Sequence, residues 1–201
     1  MYATMFYLLK GVPFIYQGQE FGTPNPHYDD LSQFDDIECL NYYRTHKDKV
    51  PHTELMERVN FNSRDNNRRP VCWSIRKNYG FSDGEKTWLP LHSRGREVNL
   101  ENDVKSDKSV FAYYKKLLAY RKDSKAVRHG KFKDITCGDG YFAYTMTLDN
   151  EVVLVVCNFD KVQTIGGLPE YEYVFGNYNK IGTVNGEYAP FETRVFHKNE
   201  V

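Results

Sequence analysis

The run Val12-Pro13-Phe14-Ile15-Tyr16, apolar at consecutive positions directly after Lys10-Gly11, constrains this chain more than any other feature. A strand that carries apolar side chains on both faces suits a parallel α/β sheet, where helices cover each side. Such a strand needs neighbours, and the rest of the sequence supplies no obvious parallel partners. Either the chain starts inside a larger domain or the run is not a strand. Ahead of it, Met1 to Leu9 has good helix formers and no breaker, which predicts a helix ending in the Lys10-Gly11 turn. This segment lacks a basic leader and a small-residue cleavage site, and Lys10 ends it well short of a membrane span, so no signal peptide or anchor is expected.

After Gly22 comes a long polar stretch with Pro24, Pro26, Pro51 and Pro70, broken by short helical patterns near Leu31 to Tyr43 and Thr53 to Val59. An excursion this long inside a compact domain is more often functional than idle. Val110, Tyr113, Tyr114, Leu117, Leu118 and Arg121 then recur at threes and fours, which predicts an amphipathic helix from Ser109 with Asp107 or Ser109 as its cap. Beyond Ala126 the texture changes to short β-rich runs: Tyr141 to Thr147, Glu151 to Phe159 after the turn-like Asp149-Asn150, Tyr171 to Phe175, and Phe191 to His197. Strands at this spacing argue for an antiparallel sandwich or barrel.

Lys plus Arg number 27 and Asp plus Glu number 27, so the balance advertises no polyelectrolyte, and a nucleic-acid partner is not expected. Cys39, Cys72, Cys137 and Cys157 form no CxxC pair, which fits reduced thiols in a cytoplasmic protein. The histidines at 27, 46, 52, 92, 129 and 197 show no ligand spacing, so no metal and no cofactor is expected. No Gly-rich phosphate loop, GxSxG elbow or Cys/His nucleophile pattern occurs.

Three polar clusters remain as carriers of chemistry. Gln17-Gly18-Gln19-Glu20 follows the apolar run, where a βα loop of a barrel presents functional side chains, although an idle polar loop reads the same locally. Asp29, Asp30, Asp35, Asp36 and Glu38 fit a solvated acidic loop, a calcium site or part of a substrate pocket, and their spacing does not match an EF-hand. Ser63-Arg64-Asp65-Asn66-Asn67-Arg68-Arg69-Pro70-Val71-Cys72-Trp73 interleaves three arginines with acceptors. It can build a lattice that orients a neighbouring carboxylate, or a structural salt-bridge knot.

In this order the clusters resemble glycoside hydrolase family 13 enzymes of the oligo-1,6-glucosidase and glucan 1,6-α-glucosidase type. Gly11 to Gly22 looks like the last barrel strand and its loop. Asp36-Ile37-Glu38-Cys39-Leu40-Asn41, Ser63-Arg64-Asp65-Asn66 with Arg68, Pro70 and Trp73, then Gly80-Phe81 and Trp88-Leu89-Pro90 follow at the family's distances. Ser109 to Leu117 is similar to the last barrel helix, and Pro190-Phe191-Glu192 to the closing segment of a C-terminal β domain. Gln19 stands where the family usually has a second glutamate, and Asn67, Arg69, Val71 and Cys72 where it has Ala, Thr, Met and Gln.

The resemblance implies an α/β plus all-β fold. Residues 1–125 would be the C-terminal βα unit of a (β/α)8 TIM barrel with a long loop insert, and 126–201 an antiparallel β-sandwich domain. It implies a retaining α-glucosidase acting on α-1,6 bonds of isomalto-oligosaccharides, with Arg64 near the glucose of the cleaved subsite and Glu38 lining the neighbouring one. Two carboxyl groups must flank the bond in such a mechanism. In the family both sit on earlier strands, so no catalytic residue is expected here and the isolated chain should be inactive. Pro26-His27-Tyr28 is also similar to the trehalose-6-phosphate hydrolase branch, while Asp35 to Glu38 and Lys86 to Pro90 favour the glucan 1,6-glucosidase branch. The partners expected are an oligosaccharide and the missing barrel portion, with no membrane. A non-catalytic sugar- or partner-binding module is the competing reading.

Overall fold

The computed structural model describes residues 1–178 and 180–199. Its helices are α1 (Tyr2–Tyr7), α2 (Ile37–His46), α3 (His52–Asn62), α4 (Leu100–Asp103), α5 (Val110–Asp123) and α6 (Lys125–His129). The strands are β1 (Lys131–Asp134), β2 (Tyr141–Leu148), β3 (Glu151–Asn158), β4 (Gln163–Ile165), β5 (Glu172–Gly176), β6 (Gly186–Tyr188) and β7 (Thr193–Asn199). The chain divides into two compact units, one of residues 1–14 with 113–201 and one of residues 15–112.

In the first unit, an antiparallel five-stranded sheet runs in the order β1-β2-β3-β7-β5, and β4 pairs with β6 as a separate two-stranded ribbon. The central strand β3 is apolar at consecutive positions because both of its faces are covered. Val153, Val155 and Cys157 pack with Tyr7 of α1 and Leu8 just after it, Leu117 of α5, and Ala126 and Val127 of α6. Leu154 and Val156 pack on the opposite face with Ile165 of β4, Tyr188 of β6 and Phe196 of β7. Each large apolar side chain so buried contributes about 1.5–3 kcal/mol.

The strand expected at Val12 to Tyr16 is not formed. These residues have no regular secondary structure, and Val12 and Phe14 are 76% and 83% exposed. A parallel strand draws its hydrogen bonds from neighbours, and among the described residues none pairs with it. Instead the Phe14 carbonyl accepts a hydrogen bond from the Tyr7 hydroxyl at 2.7 Å. The turn after α1 is held by Arg121, whose guanidinium donates to the carbonyls of Tyr7 (2.6 Å) and Leu9 (2.7 Å) and to that of Gly11. Burial lowers the pKa of this arginine, and the carbonyls at the helix C-terminus supply the compensating negative potential.

Gly130 closes α6, and its N–H donates to Ala126 O at 2.8 Å. A Cβ there would lie 2.4 Å from Ala126 O and 2.8 Å from Thr147 O. Gly130→Ala is therefore expected to destabilise this unit by about 1–3 kcal/mol, the usual range for overpacking. Urea denaturation checks it, and an unchanged midpoint would contradict the close approach.

In the second unit, α2 and α3 close over a small core of Tyr28, Phe34, Cys39, Met56 and Val59. The buried amide of Asn60 ties the incoming loop to α3: its Oδ1 accepts from Tyr28 N at 2.8 Å, and its Nδ2 donates to Tyr28 O at 2.8 Å and Met56 O at 2.9 Å. No helix among the described residues is long and apolar enough to cross a membrane.

Candidate functional site

The acidic cluster before α2 separates into distinct tasks. Asp29 lies 3.3 Å from the His27 ring, and Asp30 caps the turn at Leu31–Gln33 through Ser32 N at 2.8 Å. Among the described residues no group of three His, Cys, Asp or Glu side chains could hold a metal ion. Asp36, only 1% exposed, is the N-cap of α2, with Oδ1 accepting from Glu38 N at 3.2 Å. Side-chain oxygens are preferred there because they satisfy an N–H left free at the helix start.

The same carboxylate grips the arginine-rich cluster. Arg64 donates to Asp36 Oδ1 through Nη2 at 2.6 Å and Nε at 3.1 Å, and its backbone N–H reaches Oδ2 at 2.8 Å. The hydrogen bonds from the Arg64 side chain hold the Asp36 carboxyl far below the usual carboxylate range, outweighing the opposing effect of burial. The grip is reciprocal. Asp65, fully buried, turns back so that Oδ2 accepts from Asp35 N at 2.7 Å and Asp36 N at 2.9 Å. Each segment thus uses a carboxylate to fix the backbone of the other, an arrangement of charge-assisted bonds stronger than neutral ones.

This clamp brings the two expected site residues together. Glu38 sits in the first turn of α2, 76% exposed at its side chain, with Oε1 3.5 Å from Arg64 Nη1. The ion pair itself is exposed and adds little stability. It sets one fixed donor nitrogen, Nη1, beside an open carboxylate acceptor. Arg68 Nη1 approaches Asp65 Oδ1 at 3.6 Å, while Arg69 goes inward. The Arg69 guanidinium stacks 3.9 Å from the Tyr28 ring centroid and donates to Pro90 O at 3.4 Å and Gln33 O at 3.2 Å. The arginine cluster is therefore a lattice with two half-exposed members, Arg64 and Arg68, and one buried structural member, Arg69.

Gln17-Gly18-Gln19-Glu20 forms a turn in which Gly18 has φ 90°, and Gln17 and Gln19 line a cleft of about 420 Å³ with Tyr16, Asn66, Arg69 and His92. Burial pushes the His92 pKa down. Its Nδ1 accepts from Arg94 N at 3.0 Å while Nε2 faces Pro24 O at 2.8 Å, the pattern of a neutral ring. Sequence reasoning missed the reciprocal role of Asp65 and the contact of Trp88 Nε1 with Asp35 Oδ2 at 2.9 Å. The only signals were Asp65 adjoining Arg64 and Asp35 lying in the acidic run before Glu38.

A family model described as the catalytic domain of α-amylase matches residues 1–130. Oligo-1,6-glucosidase of Halalkalibacterium halodurans is 36% identical over 219 residues, covering 100% of this chain and 38% of the relative. Trehalose-6-phosphate hydrolase of Bacillus subtilis is 37% identical over 172 residues, covering 85% of this chain and 30% of the relative. The solved trehalose-6-phosphate hydrolase of Bacillus licheniformis superposes with a TM-score of 0.91 at 30% identity, over 99% of this chain and 38% of that one. The chain thus spans well under half the length of the proteins it matches.

Proposed function

The chain belongs to the α-amylase family, glycoside hydrolase family 13, and from that premise we propose that it is the C-terminal part of a retaining α-glucosidase of isomalto-oligosaccharides. Residues 1–125 supply the last βα unit of the barrel with its long loop, and residues 126–201 the β-sandwich. The five-stranded sheet covered by the β4–β6 ribbon supports the sandwich, and the exposed Phe6, Val12 and Phe14 support a face that the rest of the barrel covers.

The observation that carries the reading is the Asp36–Arg64–Glu38 arrangement. Asp36 occupies Nε and Nη2 and so fixes the orientation of Arg64, and Nη1, 3.5 Å from Glu38 Oε1, is the nitrogen that meets a glucosyl hydroxyl. Glu38 accepts hydroxyls of the neighbouring unit. The nucleophile and the general acid come from outside these residues, so this chain binds and orients without cleaving. Incubated with isomaltose or isomaltotriose, the purified 201-residue chain is expected to release no glucose above the buffer level. Turnover would overturn the statement that the catalytic carboxylates lie elsewhere. The similarity to two trehalose-6-phosphate hydrolases keeps that substrate as the second reading, and a substrate comparison in the complete enzyme separates them.

A further inference from the structure

Trp88 is 71% exposed, which is unusual for a side chain that is highly buried on average. Its loop is nevertheless pinned on both sides of the indole. Thr87 Oγ1 donates to Leu89 O at 2.6 Å, and Leu89 is 2% exposed. Pro90 O takes Arg69 Nη1 at 3.4 Å, and Leu91 O takes the Tyr28 hydroxyl at 2.7 Å. The ring is oriented as well, because its single donor is spent on Asp35 Oδ2 at 2.9 Å while the Asp35 backbone is held by Asp65. Asp35 directly precedes Asp36, the anchor of Arg64.

We infer that Trp88 is a stacking platform for a further glucosyl unit of an α-glucan, beyond the units met by Arg64 and Glu38. The inference rests on the glucosidase reading of that pair. An indole face with its N–H already paired presents only apolar, π-rich surface, which matches the C–H face of a pyranose ring. Preorganisation by Asp35 and the pinned loop removes most of the ordering cost of binding. The platform makes the site prefer a trisaccharide over a disaccharide.

The test uses the two tryptophans of the whole chain, Trp73 and Trp88. In Trp73→Phe, Trp88 is the sole reporter. Titration with isomaltotriose should give a saturable fluorescence change and shield Trp88 from acrylamide. In the otherwise unaltered chain, Trp88→Ala should weaken isomaltotriose binding by about tenfold, with Trp88→Phe losing less. If Trp88→Ala fails to fold by circular dichroism, the quenching result and Trp88→Phe decide. Binding lost in Arg64→Ala but kept in Trp88→Ala overturns the platform and leaves the Arg64 reading standing. The reverse pattern supports the platform and removes the role given to Arg64. No saturable signal from the unaltered chain overturns both.

Discussion

Asp36→Ala is expected to lower the stability of the 15–112 unit by about 3 kcal/mol and to loosen the Arg64–Glu38 pair. The N-cap of α2 accounts for about 1 kcal/mol of this. The bonds from Arg64, made to a charged acceptor that is itself buried, account for roughly 1.5–3 kcal/mol more. Because the folded carboxyl titrates below its ordinary value, its contribution is complete above the unfolded pKa of about 3.9 and is lost as pH falls through the lower folded value. Asp36→Asn should keep the cap and lose this acid-dependent part. Urea midpoints at pH 7 and at successively lower pH test both statements. A variant as stable as the unaltered chain at pH 7 would show that Asp36 does not hold the clamp.

The second large effect lies in the other unit, where Glu192→Ala should cost about 3–5 kcal/mol, the usual penalty for stranding a buried charge. Glu192 and Arg194 are 1% and 4% exposed, and Arg194 Nε donates to Glu192 Oε1 at 2.7 Å. Burial alone would push the Glu192 carboxyl up. Arg194, the Ala189 N–H at 2.7 Å and Lys180 at 3.5 Å more than offset it, so the net direction is down. Arg194 in turn stacks 3.7 Å from the Tyr188 ring centroid and donates to Thr183 O at 2.9 Å and Glu187 O at 2.6 Å. Removing Glu192 leaves that guanidinium in place without its counter-charge. Glu192→Leu combined with Arg194→Leu should cost less than the sum of the single changes, since no lone charge remains. Additive losses would show that the two side chains act independently.

Periodicity was a sound guide wherever one element decides its own contacts. The spacing from Val110 to Arg121 yields α5, and of the two proposed caps Ser109 is the one used, its Oγ accepting from Ala112 N at 3.1 Å. The β-rich runs, aromatic in β2 and β-branched in β3, yield β2, β3 and β7 because a pleated strand exposes its pattern in the residues themselves. The short strands β1, β4 and β6 have no such pattern. Lys131–Asp134 is exposed at every position and is a strand only because β2 offers it a ladder.

The sequence by itself determined the family, through motifs whose order and distances survive substitution, and it placed Arg64 and Glu38 as candidates for one site. Only the tertiary structure decided that Asp36 and Asp65, 29 residues apart, each hold the other's segment. It also decided that Val12 to Tyr16 stays unpaired while β3, equally apolar, is buried on both faces. The roles of Arg69, Arg121 and Arg194 were likewise hidden, because a buried guanidinium is defined by carbonyls and rings brought to it from elsewhere in the chain. Local pattern reports which side chains can be buried or charged. Which partners satisfy them depends on contacts distant in sequence, and those exist only once the chain has folded.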